Sequence, residues 1–316
     1  MSNTLTVYAP ASTGNLSVGF DALGLALAPV DGSLLGDLVH LRNRNSRDWQ
    51  LDVQGPFKDA LPEDPELNVV MKCCRRFEST ARNFVDGIFP LDVTLEKMLP
   101  VGSGLGSSAS SIVATLVALN NWFGRPLNRP QLLSLMAEAE GGISGEIHLD
   151  NIAPSLLGGL RLCMSDSAIQ EGLPWPGRWQ IVICWPGTRI DTHAARMVLP
   201  EKFNRSLLVA HGAQFARFVH ALHVGDSKTA AECINDMIAE PHRQRLLPGF
   251  TDARKALTDL GALSVGISGS GPTVFAIVND SGVAQAARHW LQDNYCQSER
   301  AFATICRADL AGARQV

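Results

Sequence analysis

The sequence predicts an α+β protein built from two domains. Its 316 residues are enough to bury two hydrophobic cores. Apolar and polar residues alternate over 4–7, 49–53 and 89–97, as they do in strands with one buried face. These segments lack the continuous Val/Ile runs of a parallel sheet buried on both faces, which favours α+β over α/β.

Helical periodicity interrupts these strands in the first half of the chain. It predicts helices over 68–80, 107–123 and 130–140. Gly124 and Gly141 are the expected stops of the last two helices, because glycine commonly follows a helix end.

The second half alternates strands and helices more regularly, as in a small ferredoxin-like sheet with helices packed on one side. The middle of the chain is broken most strongly at 170–179, where Gly and Pro interrupt helices and strands. We therefore expect the domains to be 1–168 and 169–316. The segments of this half are the strands 179–185, 263–267, 273–278 and 301–307 and the helices 205–223, 227–239, 250–260 and 282–293.

Composition restricts the class of partner and the compartment. The chain is 46% hydrophobic and 18% charged with a net charge of −4, so we expect neither nucleic acid nor a membrane as partner. Seven cysteines without a C-x-x-C spacing indicate a reducing compartment rather than a disulfide framework. The start has no signal-peptide pattern and no apolar run approaches the ~20 residues that span a bilayer. The expected location is therefore the cytoplasm.

The glycine-rich stretch "PVGSGLGSSAS" (100–110) lies between a predicted strand and the predicted helix 107–123. A loop that ends at a helix N-terminus offers unpaired N–H groups and a favourable dipole to an anion, above all a phosphate. The alternative is a tight turn with Ser107 as helix cap. The loop taken alone leaves both interpretations open.

Several known glycine motifs are excluded by inspection. No lysine follows Gly106, as a P-loop requires. The G-x-G-x-G order differs from the dinucleotide fingerprint G-x-G-x-x-G. Neither this loop nor "GISGSGP" contains the G-x-S-x-G of a hydrolase nucleophile elbow.

Three segments together resemble the motifs of the GHMP kinases, in order and spacing: "APASTGNLSVGFDALG" (9–24), "PVGSGLGSSAS" (100–110) and "GISGSGPTVFA" (266–276). The resemblance spans essentially the whole chain and is closest to the homoserine kinases of that family. It implies a ribosomal-protein-S5-domain-2-like N-terminal domain and a ferredoxin-like C-terminal domain. Further matching segments are "SGEIHLDNIAPSLLGG" (144–159), "DTHAARMVLP" (191–200) and "EPHRQRLLPGF" (240–250).

The resemblance implies that ATP and Mg²⁺ bind around the glycine loop. Asn68 matches an adenine contact, although an N-cap role would explain it as well. Lys97 is expected to reach the triphosphate as a mobile cation, or else to be a solvated lysine at a strand end. The loop residues implied in nucleotide binding are Pro100, Val101, Gly102, Ser103, Gly104, Leu105, Gly106, Ser107 and Ser108.

Two residues match the magnesium ligands of the family. They are Ser108 and Glu140, whose alternatives are helix packing and a solvated carboxylate at a helix end. Mg²⁺ prefers oxygen ligands and takes one or two carboxylates from protein, which suits this pair. We expect the nearby Glu138 to be a surface residue.

The resemblance also implies a site for an amino-acid alcohol. Arg196 and Arg243 match residues that bind a carboxylate, a role that suits the planar guanidinium. The remaining substrate residues implied are Asn15, Asp21, His148 and Thr192.

Asn151 is expected near the reacting hydroxyl, where mevalonate kinases carry an aspartate. An asparagine cannot accept a proton as a general base, so the resemblance implies catalysis by positioning and electrostatics through Asn151, Arg196 and Glu140. The adjacent Asp150 is expected to point elsewhere.

The implied activity is ATP-dependent phosphorylation of L-homoserine, on the threonine branch, by a homodimer. One alternative is another GHMP kinase acting on mevalonate or a sugar. The other is a GHMP-fold sensor that binds its ligand without turnover. The retained glycines, Ser108 and Glu140 favour an enzyme over a sensor.

Overall fold

The computed structural model describes residues 4–43, 47–144, 148–164 and 171–316. Both strands and helices occur along the whole length of these ranges, which confirms the α+β class. The strands are β1 (Thr4–Pro10), β2 (Ser12–Gly14), β3 (Leu23–Pro29), β4 (Gly36–Arg42), β5 (Gln50–Gln54), β6 (Asp92–Glu96), β7 (Leu160–Leu162), β8 (Glu171–Leu173), β9 (Gln180–Trp185), β10 (Ser264–Ile267), β11 (Val274–Val278), β12 (Phe302–Ala308) and β13 (Arg314–Gln315).

The helices follow the predicted periodicity closely where they are long. The α-helices are α1 (Val69–Ala81), α2 (Ser107–Trp122), α3 (Arg129–Ser144), α4 (Ile152–Leu157), α5 (Thr192–Met197), α6 (Arg205–His223), α7 (Ser227–Cys233), α8 (Glu240–Arg243), α9 (Phe250–Asp259) and α10 (Ser281–Asn294). Short 3₁₀ turns occur at Lys58–Ala60, Pro65–Leu67 and Gln244–Leu246.

Two helix ends differ from prediction. α3 continues past Gly141 to Ser144, because a glycine costs a helix only about 1 kcal/mol and does not have to end it. The helix predicted over 227–239 ends at Cys233. There the Asp236 carboxylate accepts hydrogen bonds from the N–H groups of 238–240, which offers the backbone an alternative to the helix.

The first sheet has the order β13-β1-β4-β6-β5 and carries α1, α2 and α3 on one face. Its pairs are antiparallel except β5 with β6. One core cluster fills the space between sheet and helices, with Phe77 of α1, Ile112 of α2 and Leu95 of β6 among its buried members. This packing fixes the start of α2 above the sheet.

The second sheet joins segments from both halves of the chain in the order β10-β11-β9-β12-β3-β7-β8. β12 pairs antiparallel with β3 through Cys306–Pro29 and Ala308–Leu27. It is therefore larger than the sheet predicted for the second half. The predicted boundary between 168 and 169 lies outside the described residues and stays a prediction.

Helices cover both faces of this sheet rather than one. Val182 and Val274 pack against α9 and α10, while Ile183 and Phe275 face a cluster that contains Phe218 of α6. β9 and β11 are accordingly almost wholly buried apolar strands, as expected of strands covered on both sides. Within the described residues, no helix is both long and apolar enough to span a bilayer.

Candidate active site

A cavity of about 670 Å³ lies where the two sheets meet. It falls within the range of small-molecule sites, roughly 300–1,000 Å³. Its walls come from the β2–β3 loop, the glycine loop before α2, the segment before α4, and α5 with the 268–271 turn. The three motifs that lie far apart in the sequence therefore line one site.

The glycine loop has the left-handed backbone that its composition predicts. Gly102, Gly104 and Gly106 have φ of +67°, +82° and +64°, which side chains other than glycine rarely adopt. A Cβ at Gly104 would collide with the carbonyl oxygen of Ser268. Ser268 Oγ donates to the Gly104 carbonyl at 2.6 Å, so the third motif packs directly on the loop.

The loop ends at the first turn of α2. Ser107 and Ser108 line the cavity, but no side chain caps the helix at Gly106. Helix N-termini without a protein cap favour anions. Pro100 and Leu105 do not line the cavity, and Leu105 packs in the core.

Lys97 lines the cavity from beneath the glycine loop. Its ammonium is buried beneath the loop, paired with Asp37, and donates to Ser107 O and Ser111 Oγ, both at 2.9 Å. All three ammonium hydrogens are thereby used. Lys97 is thus neither a mobile cation for the triphosphate nor a solvated lysine. Burial lowers its pKa, against the opposing effect of Asp37.

Two other cations, Lys72 and Arg189, line the cavity. Lys72 projects from α1, and Arg189 lies over the glycine loop, where a Cβ at Gly102 would come within 2.5 Å of Arg189 Cγ. Ile190 N–H donates to Gly102 O at 3.0 Å and fixes this approach. Sequence reasoning missed both residues, since neither carries a motif; only the cavity wall reveals them.

Asn68 performs the capping role and keeps one end of its amide unpaired. Its Oδ1 accepts from Val70 N–H at 2.9 Å at the start of α1. Its Nδ2 is buried, and no described residue accepts from it. An orphaned buried donor on the cavity wall fits a ring nitrogen of a nucleotide base.

Ser108 of α2 and Glu140 of α3, the two residues proposed as magnesium ligands, are in contact. Ser108 Oγ donates to Glu140 Oε2 at 2.9 Å. Burial raises the pKa of Glu140, and the Ser108 hydrogen bond opposes that shift. A partly buried hydroxyl–carboxylate pair of oxygens fits a hard cation that takes its other ligands from phosphate and water. Glu138 instead forms an exposed ion pair with Arg76, as expected of a surface residue.

The cavity wall also contains an ion pair between Asp21 and Arg196. Both guanidinium Nη atoms donate to the carboxylate, at 3.1 and 2.9 Å. His148 Nδ1 lies 3.8 Å from the same carboxylate. Asp21 sits on a backbone with φ of +55°, a left-handed conformation that Asp tolerates better than most residues. The predicted substrate residues are therefore adjacent to one another.

Arg243 is buried with carbonyl partners rather than a carboxylate. Its Nε donates to Ala195 O and its Nη1 to Gly269 O, each at 3.1 Å, and its guanidinium lies 5.4 Å from the Phe20 ring centroid. Burial lowers its pKa. A buried cation without a bidentate protein anion is suited to bind the anionic group of a ligand.

Asn15 and Thr192 also line the cavity, but in different ways. Asn15 connects the 9–24 motif to the 266–276 motif. Its Nδ2 donates to Gly269 O at 3.1 Å and its Oδ1 accepts from Asp21 N–H at 2.9 Å. Thr192 begins α5 one turn before Arg196, so the two residues share a helix face.

Asn151 and Asp150 are neighbours in the wall of the same cavity. Ser12 Oγ donates to Asn151 Oδ1 at 2.9 Å, which leaves the Asn151 amide N–H groups for a ligand. Asp150 was predicted to point elsewhere, but it is buried in the wall of the cavity. This expectation is wrong because Gly14 and Gly24 let the 150–151 turn pack against β2 and β3, where any Cβ would collide with Asp150.

Comparison with known proteins agrees with this arrangement. Residues 68–159 match the GHMP kinases N terminal domain and 218–295 match the GHMP kinases C terminal domain. A crystal structure of homoserine kinase from Cytophaga hutchinsonii is similar over 100% of this chain and 98% of that chain, with 31% identity and a TM-score of 0.89. The L. major mevalonate kinase in complex with R-mevalonate is similar in fold, with 16% identity, coverage of 97% and 96%, and a TM-score of 0.67.

The fold and the cavity thus define a small-molecule phosphotransferase. The chain belongs to the GHMP kinases, with both domains of that family present. Membership implies binding of ATP and of a small molecule that receives the phosphoryl group.

Proposed function

We propose that this protein is a homoserine kinase, which transfers the γ-phosphoryl group of ATP to the hydroxyl of L-homoserine. The observation that carries the proposal is the set Asp21, Arg196 and Arg243 in the wall of a cavity that the glycine loop also lines. The similarity to the Cytophaga hutchinsonii homoserine kinase over the whole chain supports it.

An amino acid can enter this site without leaving an unpaired charge. The Asp21–Arg196 pair presents one negative and one positive group, each partly exposed. A zwitterion exchanges that pair for two new ones, its ammonium with Asp21 and its carboxylate with Arg196 and Arg243. A neutral sugar brings no ion to replace the pair, and mevalonate brings only an anion. The charges therefore favour an amino-acid substrate.

The nucleotide is proposed to lie along the glycine loop. The N–H groups of 102–108 cradle the phosphates, Asn68 Nδ2 meets the base, and Arg189 and Lys72 supply positive charge. Ser108 and Glu140 would hold Mg²⁺, which neutralises charge that develops on the transferring phosphoryl group. Asn151 donates from its amide to the hydroxyl or to a phosphate oxygen and so positions the two reactants.

The substrate is tested by ADP release with Mg-ATP in the presence of L-homoserine, L-serine, mevalonate or galactose. We expect turnover with homoserine and at most a small rate with serine, whose shorter side chain places its hydroxyl further from the loop. Turnover with mevalonate or galactose instead would contradict the proposal and the roles of Arg196 and Arg243. No turnover with any of them would favour a ligand sensor.

The proposal also covers the compartment, the pathway and the oligomeric state of the enzyme. We propose that it acts in the cytoplasm on the threonine branch and as a homodimer. Light scattering after gel filtration measures the mass of the assembly against the 34.0 kDa chain. A mass of a single chain at micromolar concentration would contradict the dimer and leave the catalytic proposal intact.

A further inference from the structure

Ser12 is a buried residue of the first motif that the proposed function leaves without a role. It begins β2, is inaccessible to solvent and does not line the cavity. Its N–H donates to Leu105 O of the glycine loop at 3.2 Å, and its Oγ donates to Asn151 Oδ1 at 2.9 Å. Ser12 therefore lies directly behind the cavity wall, in contact with the loop and with the residue expected near the reacting hydroxyl.

The side-chain amide of Asn151 lies in a narrow space between two glycines. A Cβ at Gly106 would lie 3.0 Å from Asn151 Oδ1 and 2.3 Å from Ser12 Oγ. A Cβ at Gly14 would lie 2.8 Å from Asn151 Nδ2. The amide oxygen is therefore beside Ser12 and the glycine loop, and the amide nitrogen is beside Gly14.

Packing alone does not decide which end of this amide faces Ser12, because the oxygen and the NH₂ group have nearly the same size. The Ser12 hydroxyl decides it by donating its single hydrogen to the oxygen. In the reverse orientation that hydrogen would be left with Asn151 O, at 3.3 Å, as its acceptor. The amide oxygen would then also lie on the side of the Asp150 carboxylate, whose Oδ2 is likewise against Gly14. Both effects favour the observed orientation.

The orientation matters because the two ends of an amide have opposite hydrogen-bonding character. The NH₂ group only donates, and the oxygen only accepts. With Oδ1 bound to Ser12, the NH₂ group is the end that the half-exposed Asn151 offers to the cavity. The groups that meet in the proposed reaction, a hydroxyl oxygen and the oxygens of a phosphate, are acceptors. An amide oxygen in the same place would repel the phosphate oxygens instead of stabilising them.

We propose that Ser12 is a positioning residue for the phosphoryl transfer, whose hydroxyl holds the Asn151 amide with its NH₂ group towards the reactants. The inference rests on the proposed function in taking Asn151 as a contact of the hydroxyl or of a phosphate oxygen. Ser12 contacts neither reactant and exchanges no proton with them. It acts only through the amide, by excluding the orientation that would present an oxygen to the phosphate.

The competing explanation is a structural role, in which Ser12 only joins β2 to the glycine loop and to α4. The two roles separate in the kinetic constants. A misoriented amide fails to stabilise the transition state, which lowers kcat and leaves KM nearly unchanged. A purely structural hydroxyl contributes to the free energy of unfolding, and its loss leaves the kcat of the folded protein unchanged.

The first test compares Ser12→Ala with Thr115→Val, which also removes a buried hydroxyl. Thr115 Oγ1 donates to Ser111 O at 2.7 Å within α2, and Thr115 does not line the cavity. We expect Ser12→Ala to lower kcat by about 10–100-fold, with KM for ATP and for the alcohol within threefold. Thr115→Val should keep kcat within twofold of wild type. A kcat within twofold of wild type in Ser12→Ala, or an equal loss in both variants, would overturn the proposal.

A double-mutant cycle asks whether Ser12 acts through Asn151. Asn151→Ala removes the amide, so we expect kcat to fall and a further Ser12→Ala to change it by less than about threefold. Single-turnover transfer from ATP labelled in its γ-phosphate measures these slow rates. The full Ser12→Ala loss in the Asn151→Ala background would show that Ser12 acts on the loop directly. A wild-type kcat in Asn151→Ala would remove the contact that Ser12 positions. Either of these two results refutes the inference.

Ser12→Thr covers the case in which Ser12→Ala is impaired by a packing defect. It keeps the hydroxyl, and we expect a kcat nearer to that of wild type than to that of Ser12→Ala. MgADP binding, measured by calorimetry, checks that each variant has an intact nucleotide site. A Ser12→Thr protein that binds MgADP as wild type does, and yet is as slow as Ser12→Ala, would contradict the role of the hydroxyl.

The measurements use whichever alcohol the wild type phosphorylates, so they separate this inference from the proposed function. Turnover with another alcohol in place of homoserine would overturn the proposed function alone. A wild-type rate in Ser12→Ala with homoserine would overturn the inference alone. Absence of transfer to any alcohol would overturn both.

Discussion

The ion pairs Lys97–Asp37 and Arg196–Asp21 differ in burial and in the number of hydrogen-bonding groups that remain free to bind a ligand. In the pair Lys97–Asp37, both side chains are at most 1% exposed. Asp37 also accepts from Ser111 Oγ and from the N–H groups of Met98 and Leu99, at 2.6–3.0 Å. In the pair Asp21–Arg196, the side chains are 28% and 21% exposed and face the cavity.

This difference indicates a structural role for the first pair and a ligand-binding role for the second. Lys97 and Asp37 satisfy each other and the backbone around the glycine loop, so they fix the loop and have nothing left for a ligand. Asp21 and Arg196 lie where solvent and ligand reach them, so their pairing can be exchanged. Both pairs join a cation to an aspartate, so the residue types alone do not distinguish the two roles. The burial of the side chains and the number of hydrogen bonds that they already make do distinguish them.

The largest expected effect is on stability, from Lys97→Met. It leaves Asp37 as a buried, unpaired carboxylate, which costs about 3–5 kcal/mol of the free energy of unfolding. The matched Arg196→Met leaves a partly exposed carboxylate and should cost about 1 kcal/mol or less. Urea unfolding of both variants measures the contrast. Equal losses in the two variants would remove the distinction between the pairs.

Glu140→Gln tests a carboxylate that is partly buried and lines the cavity, as Asp21 does. We expect a loss of about 100-fold or more in apparent Mg²⁺ affinity, because an amide is a poorer ligand than a carboxylate. The stability should change little. Initial rates over a Mg²⁺ titration measure the effect, with the exposed Glu138→Gln as control. Wild-type Mg²⁺ dependence in Glu140→Gln would exclude it from the metal site.

Arg196→Ala and Arg243→Ala test whether these arginines bind the substrate carboxylate. Each removes a charge-assisted hydrogen bond to the substrate carboxylate, which is worth about 1.5–3 kcal/mol, or roughly 10–100-fold in KM for homoserine. KM for ATP should stay within threefold, since neither residue is among those proposed to contact the nucleotide. Steady-state kinetics measures both constants. Unchanged homoserine kinetics in both variants would refute the carboxylate site.

The smallest expected effect is at Asn68, whose amide has one atom in a structural hydrogen bond and one atom available to a ligand. Its oxygen is used in the cap and its nitrogen is unpaired. Asn68→Asp keeps the cap and should retain stability while raising KM for ATP. Asn68→Ala loses the cap as well and should also lose about 1 kcal/mol of stability. Thermal unfolding and ATP kinetics separate the two, and normal ATP kinetics in Asn68→Asp would leave only the capping role.

Much of the fold could be predicted because local patterns reflect it directly. The periodicity over 205–223 and 107–123 gave α6 and α2 to within a residue. Short elements such as β2, β7 and α4 were missed, since 3 to 6 residues carry too little pattern. The union of both halves in the second sheet was also missed, because strand pairing between β3 and β12 leaves no local signal.

The candidate site divides in the same way. The sequence by itself determined the glycine loop, the capping Asn68 and the residues of the family motifs, because backbone freedom and helix caps depend on neighbours in the chain. Only the tertiary structure decided that Lys97 pairs with Asp37, 60 positions away, and that Arg196 pairs with Asp21, 175 positions away. It also decided that Asp150 is buried in the wall of the cavity. The physical reason is that burial and charge pairing are set by what the fold brings into contact, and a solvated, a paired and a catalytic carboxylate look identical in a sequence.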